Sequence, residues 1–333
     1  MEQTRPALSV ILPTSDGLRN ISRTLRALRA QTARHRIELV IVAPSASIAR
    51  DPILTDGFAD VKFIGIGPMK SSNGARHAGI AAATAPIVAL AEDHSFPEPG
   101  WAEALLAAHE EGTWAVVGPV VCNANPTTAV SWSNFLLEYG PWMESTVRGP
   151  VEHLPGHNSS YRRDLLLSYG DDLERLMEAE SVLQWDLARK GHRLLIEPDA
   201  RTHHLNFSKL SSSLGLRFNG GRLFGAMRAA GWSPAKRMVY ALGAPLIPLV
   251  RLRRSLTLMR QSVARRHLFP RVLPPLLLGL TLDALGELVG YVSGAGSSSN
   301  VLCGIEFDRY RFLCTADQRE VDAEAGACSR MPA

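Results

Sequence analysis

The fold of this chain is decided by an apolar run that ends in three polar residues, Ile87-Val88-Ala89-Leu90-Ala91-Glu92-Asp93-His94. A short, continuous apolar run containing β-branched residues predicts a strand buried on both faces, which is typical of parallel sheets. In an open parallel sheet, ligands bind at the carboxyl ends of the strands. The run therefore predicts a central strand and, directly after it, a functional site.

Similar apolar runs alternate with helical patterns on either side of this strand. The spacing predicts strands over 8–12, 38–43, 61–64, 87–91 and 114–118, and helices over 21–30, 73–83 and 99–110. Strands that alternate with helices imply an α/β fold with a mostly parallel sheet covered by helices on both faces. The same carboxyl edge then also carries Pro13-Thr14 and Ala43-Pro44-Ser45.

The charge of the chain is divided unevenly along its length. The net charge is +4 for 333 residues, with 36 basic and 32 acidic side chains. Residues 200–282 hold 14 Arg or Lys and no Asp or Glu, so the remainder has 36 − 14 = 22 basic against 32 acidic residues, a net of −10. Such a basic segment is typical of chains that bind phosphate groups, although a solvated basic face is the simpler alternative.

Two apolar runs lie in or beside this basic segment, at 238–250 and 272–282. Each is shorter than the ~20 residues that a membrane-spanning helix needs. Arginines flank them, which favours interfacial helices or a re-entrant hairpin on an anionic membrane, with ordinary buried helices as the alternative. Few aromatic residues are interleaved, so nucleic acid is not expected as a partner. The flanking cations are Arg251, Arg253, Arg254, Arg265 and Arg266.

Composition excludes several classes of protein. With 46 % hydrophobic and 20 % charged residues, the chain is globular rather than disordered. Its four cysteines have no CxxC spacing, which favours a reducing compartment over a disulfide framework or a zinc ribbon. We read no secretory signal at the N-terminus. These features predict a cytoplasmic protein that is peripheral or interfacial at the membrane.

Four polar segments are candidates for chemistry, and each has a structural alternative. Glu92, Asp93 and His94 suit a divalent cation such as Mg²⁺ or Mn²⁺, or form a solvated turn that caps the next helix. Glu180 stands at a predicted helix start, as a base or as a cap. His203 and His204 follow a predicted strand, so at most one faces a given site. The polar loop 156–163, which ends in Arg162 and Arg163, frames a ligand or simply leads into a helix.

Taken in order, these pieces resemble the family 2 glycosyltransferases, which have the A-type nucleotide-sugar-binding fold. The resemblance runs from about Leu8 to His204. It rests on an opening strand, a helix bearing glycine and arginine, a metal-binding strand end, an acidic residue counted back from Gly191, and a strand that ends in a histidine. The corresponding residues are Ser9–Thr14, Ser72–Ile80, Val88–Trp101, Glu180 and Pro198–His204.

The resemblance implies an inverting transfer from a nucleotide-diphosphate sugar to an acceptor hydroxyl on a glycan or a lipid-linked molecule, in cell-envelope glycan synthesis. Glu180 is then the base. Glu92, His94 and His204 are the implied ligands of Mn²⁺ or Mg²⁺. The implied donor-binding residues are Pro13, Thr14, Arg76, Asp93 and Arg162.

The chain departs from the family pattern in several places. Glu92 and His94 stand where the family usually has two aspartates, and Ala43–Ser47 replaces the aspartates that usually follow the second strand. The Gln-x-x-Arg-Trp motif of processive synthases is absent, so a non-processive enzyme is expected. A non-catalytic relative that binds nucleotide sugars or glycans is the alternative. A nucleotidyltransferase ranks lower, since residues 14–17 hold one glycine only.

We predict a catalytic domain over 1–207, a basic helical extension over 208–296 and a C-terminal flank over 297–333.

Overall fold

The computed structural model describes residues 5–15, 18–47, 55–69, 71–144, 146–261 and 263–328. The chain divides into two compact units. The first comprises Met1–Cys122 and Trp142–His204, and the second comprises Asn123–Pro141 and Leu205–Ala333. This division differs from the three-part prediction, because the excursion 123–141 leaves the first unit and the flank 297–333 is not separate from the extension.

The first unit is built on a mixed sheet with the strand order β3-β2-β1-β4-β8-β6-β9-β5, and β7 pairs with β9. Strands β1 to β4 pair in parallel, while β8 lies between β4 and β6 and is antiparallel to both. The expected mostly parallel sheet is therefore confirmed, with antiparallel additions on one side. The strands are β1 (Leu8–Pro13), β2 (Ile37–Ala43), β3 (Asp60–Gly65), β4 (Ile87–Leu90), β5 (Ser95–Pro97), β6 (Val116–Asn123), β7 (Gly149–Val151), β8 (Ser160–Arg162) and β9 (Leu194–His204).

Helices flank the sheet and form most of the second unit. One core layer of the first unit joins the apolar faces of β1, β2 and β4 to Leu25 and Trp101, which are fully buried. The helices are α1 (Leu18–Arg29), α2 (Ser72–Ala82), α3 (Trp101–Glu110), α4 (Ala129–Tyr139), α5 (Arg163–Leu167), α6 (Asp172–Met177), α7 (Glu180–Arg189), α8 (Leu210–Arg228), α9 (Pro234–Gly243), α10 (Ile247–Gln261), α11 (Phe269–Ser293), α12 (Ser298–Glu306) and α13 (Thr315–Cys328).

The segment 156–163, predicted as a polar loop, is a turn over 156–159 that is followed by β8 and by the first residue of α5, Arg163. Residues 157–161 are buried, and β8 begins at Ser160. The Ser160 hydroxyl donates to the Val117 carbonyl oxygen at 3.1 Å and lies 3.0 Å from His109 Nε2. The segment does lead into a helix, as one of the two interpretations expected, but its polar groups bond inside the protein rather than to water.

Glu38, the second residue of the otherwise apolar strand β2, ties four segments of the first unit together. Its carboxylate accepts hydrogen bonds from Ser9 on β1, from the Thr84 backbone N–H at 2.8 Å and from the Thr84 hydroxyl at 2.7 Å. Lys62 Nζ on β3 lies 2.6 Å from Glu38 Oε1. Although burial raises the pKa of Glu38, these partners lower it to about 2.

We expect Glu38→Gln to lower the free energy of unfolding at pH 7 by about 3 kcal/mol, from the pKa difference between the unfolded and folded chains. The folded pKa is below the unfolded value of 4.5, so this stability is present above pH 4.5 and is lost as the pH falls towards 2. Denaturant unfolding between pH 7 and pH 3 measures it. Glu110→Gln, on an exposed pair with Arg36, is the control and costs at most ~1 kcal/mol. The explanation would be contradicted if the loss of unfolding free energy in Glu38→Gln did not become smaller at low pH.

In the second unit, α8 and α11 pack backbone against backbone. A Cβ added to Gly221 of α8 would lie 2.2 Å from the Asp283 carbonyl oxygen, and one on Gly286 of α11 would lie 2.2 Å from the Phe218 carbonyl oxygen. Gly225 and Gly290 make equivalent approaches one turn further on. Glycines four residues apart allow such close helix pairs. The sequence analysis did not identify this spacing as a packing motif.

We expect Gly221→Ala to destabilise the protein by about 1–3 kcal/mol, because backbone atoms of α11 occupy the space of the new methyl group. The neighbouring substitution Gly220→Ala is a matched control, since nothing lies within 4 Å of a Cβ at that position. It is expected to be neutral or stabilising by up to ~1 kcal/mol through helix propensity. The melting temperatures of the two variants measure these effects. Equal destabilisation by both substitutions would show that stability does not require the close packing at Gly221.

Part of the basic segment is used inside the second unit rather than at its surface. Arg217 is buried and pairs with Glu138, and its Nη1 lies 3.9 Å from Asp283 Oδ2. Arg251 donates to Asp283 Oδ2 at 2.7 Å. The prediction that this segment presents its cations to phosphate is therefore wrong for these two arginines, because acidic residues outside the segment neutralise them.

The second apolar run lies in a helix that is longer than the run itself. Residues 266–293 form one stretch that is long and apolar enough to cross a membrane by length and composition alone, with 44 % of its most apolar window buried. The expectation that no segment reaches spanning length is thus wrong for α11. Its buried face carries Asp283, Glu287 and Tyr291, and the Tyr291 hydroxyl donates to Glu287 at 2.8 Å.

The predicted C-terminal flank 297–333 is largely helical where the structure describes it. Helix α12 begins at Ser298, and α13 runs from Thr315 to Cys328. Asp317 at the start of α13 is buried, and its carboxylate accepts hydrogen bonds from Asn125 at 2.8 Å and Thr127 at 3.0 Å. Residues 329–333 lie outside the described part of the chain.

Candidate functional site

The candidate site lies at the carboxyl end of β4. Beyond Leu90, the chain passes through Ala91, whose N–H donates to the Ile11 carbonyl oxygen at 2.9 Å, and reaches Glu92. It then enters β5, where Ser95 pairs with His204, the last residue of β9. The register of β5 against β9 therefore brings His204, which is distant in sequence, next to Glu92.

Glu92, His94 and His204 offer three ligand atoms that lie within 4.8 Å of one another. Glu92 Oε2 is 3.1 Å from His94 Nε2 and 3.7 Å from His204 Nε2. Both imidazoles are buried, with ring centroids 4.9 Å apart in an edge-to-face arrangement. One carboxylate and two imidazoles suit a divalent transition metal, so the residues present fit the cation that the sequence predicts.

Asp93 lies behind this ligand set. Its Oδ1 is 2.6 Å from His94 Nδ1. A carboxylate on the far nitrogen of a ligating histidine fixes the tautomer and orients the ring. Asp93 therefore holds His94 so that Nε2 faces Glu92.

Arg76 of α2 joins the ligand set to Glu180. The residue is 5 % exposed, and its guanidinium donates from Nη2 to Glu92 Oε1 at 2.8 Å and from Nη1 to Glu180 Oε1 at 3.0 Å. Glu92 thus has one oxygen on Arg76 and the other towards the histidines. Burial would raise the pKa of Glu92, but the charges of His157, His94 and Arg76 hold it well below its usual range.

Glu180 is the first residue of α7, and its side chain remains 30 % exposed. Gly156 lies against it, since a Cβ at Gly156 would come within 2.5 Å of the Glu180 carboxyl group. One turn along α7, the Gln184 side chain accepts from the Leu154 N–H at 2.6 Å, which ties the helix to the loop that carries Gly156. Burial raises the pKa of Glu180, while Arg76 acts in the opposite direction.

His157 completes the cluster; in the sequence it was a candidate only as part of the polar segment 156–163. Its ring stacks on His204 with centroids 4.8 Å apart, and its Nδ1 is 3.3 Å from Ser95 Oγ. The next residue, Asn158, has a φ of 51°, an unusual conformation for a residue other than glycine. In the sequence, His157 shows only as part of a Gly-His-Asn run before a short strand. Its contact with His204 depends on β9, which is distant in sequence.

The family model for glycosyl transferase family 2 matches residues 9–170. This chain carries a family 2 glycosyltransferase domain. The family is one of sugar-transferring enzymes, and the match includes Arg76, Glu92 and His94. Glu180 and His204 lie beyond it, so their place in the site rests on the contacts described above.

Relatives and solved structures resemble the chain more distantly. The pre-mycofactocin glycosyltransferase of Mycobacterium tuberculosis is 28 % identical over 211 residues, and the match covers 59 % of this chain and 42 % of that protein. The chain thus matches less than half the length of this curated relative. The crystal structure of S. aureus TarS 1-349 aligns with a TM-score of 0.47, 16 % identity and 91 % coverage of each chain. That of GalNAc-T7 with UDP, GalNAc and Mn²⁺ aligns with a TM-score of 0.43, 14 % identity and coverage of 61 % and 44 %.

The other predicted donor-binding residues lie at opposite edges of the sheet. Pro13 ends β1 at the carboxyl edge and Thr14 follows it, with the Thr14 N–H donating to the Val42 carbonyl oxygen at 2.9 Å. Arg162 pairs in register with Ile87, at the amino end of β4, and donates to the Trp114 carbonyl oxygen at 3.3 Å. The structure therefore places Arg162 at the edge opposite Glu92, and we leave it out of the donor site.

The two adjacent histidines of β9 face opposite sides, as strand alternation predicts. His204 faces Glu92, whereas His203 Nε2 lies 2.8 Å from Glu98 Oε1. Arg201 also donates to Glu98 Oε1, at 3.3 Å. His203 therefore serves as an internal comparison for His204, since the two are neighbours in sequence with different partners.

Proposed function

We propose that the protein transfers a sugar from a nucleotide-diphosphate donor to an acceptor hydroxyl, in an inverting, non-processive and metal-dependent reaction. The observation that carries this proposal is the contact made by Arg76. It joins Glu92, a member of the ligand set with His94 and His204, to Glu180 within one buried network. A cation site beside a positioned carboxylate supplies the two groups that such a displacement needs.

Glu92, His94 and His204 are the proposed metal ligands, with Asp93 orienting His94. A divalent cation held by these residues would supply positive charge beside the leaving diphosphate, on which negative charge develops. Imidazole nitrogens favour Mn²⁺ and similar transition metals, whereas Mg²⁺ prefers oxygen ligands and keeps several waters. The two histidines therefore favour Mn²⁺ over Mg²⁺ for this chain.

Glu180 is the proposed base, which accepts the proton from the acceptor hydroxyl as that oxygen attacks the anomeric carbon. General-base catalysis contributes ~10²–10⁴-fold to the rate. Arg76 holds one carboxylate oxygen of Glu180, and Gly156 leaves space beside the carboxyl group. These contacts position the carboxyl group of Glu180. The glutamate side chain is longer than that of aspartate, so it depends more on such contacts for its position.

A carrier protein that binds nucleotide sugars without transferring them is the second candidate. Its support is the end of β2, where Ser45 and Ser47 hydrogen-bond to each other at 2.7 Å in place of the aspartates usual in the family. Donor binding without turnover would favour this candidate over the enzyme.

Thermal unfolding with a panel of nucleotide-diphosphate sugars, each with and without Mn²⁺, tests the proposal. We expect at least one nucleotide sugar to raise the melting temperature only when Mn²⁺ is present. Free sugars serve as the control and are expected to produce no shift. Stabilisation by no nucleotide sugar in the presence of Mn²⁺ would overturn the proposed donor class.

A further inference from the structure

An exposed apolar stripe runs along α9, the short 3-10 turn that follows it, and α10. Exposed large side chains recur every three to four residues, so they share one side of the consecutive helices. Their exposed fractions range from 53 % to 75 %. The residues are Met238, Val239, Leu242, Leu246, Leu249 and Val250.

The opposite side of these helices is packed within the second unit, which explains the orientation of the stripe. Ala241 and Ala244 are buried. Tyr240 stacks near Trp232, with ring centroids 4.5 Å apart, and both pack on Tyr291 of α11. On α10, Arg251 faces inwards to Asp283. The apolar stripe is therefore what remains on the surface after the helices have satisfied their internal contacts.

Cations stand at both ends of the stripe. Lys236 precedes it, and Arg253 and Arg254 continue the same spacing on α10, all three with exposed side chains. Among the described residues, no carboxylate lies within 4 Å of these three side chains. The residues 200–282, which include all of α9 and α10, contain no Asp or Glu. A partner for this surface must therefore accept apolar side chains in its middle and cations at its edges.

An anionic bilayer has that combination, with acyl chains beneath phosphate groups. We propose that the stripe of α9 and α10 lies on an anionic membrane, with Leu242, Leu246 and Leu249 inserted at the acyl boundary and Lys236, Arg253 and Arg254 at the phosphates. If the proposed function holds, the membrane contact implies that the acceptor hydroxyl belongs to a lipid-linked molecule. Only this consequence rests on the proposed function. The membrane contact itself is independent of the chemistry.

Co-sedimentation of the full chain with vesicles tests the contact directly. We expect binding to phosphatidylglycerol/phosphatidylcholine vesicles and weak binding to phosphatidylcholine alone. Each cation near an anionic surface contributes roughly fivefold, so Arg253→Gln/Arg254→Gln is expected to weaken binding roughly 25-fold and to reduce its salt sensitivity. Leu242→Ser/Leu246→Ser is expected to weaken binding at least tenfold at both low and high salt.

Control variants remove two cations or one exposed apolar side chain elsewhere. Arg311→Gln/Arg319→Gln removes two exposed cations from the second unit, and Val147→Ser removes an exposed valine. Both are expected to bind vesicles like the wild-type chain. Melting temperatures of all variants confirm that they remain folded.

Three results would overturn the inference. The first is an absence of vesicle binding by the folded wild-type chain, and the second is equal loss of binding in the control and test variants. The third is a concentration-dependent dimer that Leu242→Ser/Leu246→Ser abolishes while vesicle binding persists, which would assign the stripe to a second copy of the chain. Donor turnover measured on a soluble acceptor reports separately on the proposed function.

Discussion

Glu180→Gln is expected to lower turnover at least a hundredfold while the donor and Mn²⁺ still bind. The amide cannot accept the proton of the acceptor hydroxyl, and general-base catalysis contributes ~10²–10⁴-fold. Glutamine keeps the size of the side chain, so the space beside Gly156 remains filled and its carbonyl oxygen still accepts from Arg76. Steady-state rates and calorimetric donor affinity, measured on the same preparation, separate the loss of chemistry from the loss of binding.

The control for this prediction lies on the same helix. Asp186→Asn makes the same carboxylate-to-amide change on α7, at a residue that pairs with Arg189 and Lys190. It is expected to retain turnover within a few-fold of wild type. Near-wild-type turnover of Glu180→Gln would remove Glu180 as the base.

His204→Ala is expected to weaken Mn²⁺ binding roughly a hundredfold or more, since changes in the outer shell alone cost 10–100-fold. The loss of one of three ligand atoms leaves Glu92 and His94 with too few donors to hold the ion. Titration of Mn²⁺ alone, without donor, measures the effect independently of activity. His204→Gln keeps more of the side-chain volume and serves as the second variant if the alanine form does not fold.

His203→Ala is the matched control because His203 is the neighbouring residue of β9 and pairs with Glu98 on the other side of the strand. It is expected to bind Mn²⁺ like the wild-type chain. Equal weakening by the two substitutions would show that the ligand set is wrong.

The central strands β1, β2 and β4 of the parallel half of the sheet were predictable because each is a largely apolar local run. Val10, Leu39, Val40 and Leu90 are fully buried, so burial on both faces is visible in the sequence as an unbroken apolar stretch. The proposed metal ligands Glu92 and His94 were predictable as candidates for a related reason. Polar residues directly after such a strand lie at the edge where ligands bind.

The remaining features depend on contacts between distant parts of the chain. The sequence does not reveal that Arg76 pairs with Glu180, because the two residues are distant along the chain and meet only when it folds. His157 has its partner in β9, and β8 is a strand only because β4 and β6 lie on either side of it. Arg162 was misplaced because its position depends on the antiparallel direction of β8, which polarity and spacing do not reveal.

Release of nucleoside diphosphate by the purified chain, measured with Mn²⁺ and the donor found in the thermal-unfolding panel, tests the proposed sugar transfer directly. We predict metal-dependent release that chelation abolishes, that Asp186→Asn retains and that Glu180→Gln lowers at least a hundredfold. Donor binding by the wild-type chain without any release of diphosphate, with or without candidate acceptors, would contradict the account and identify a binding protein instead.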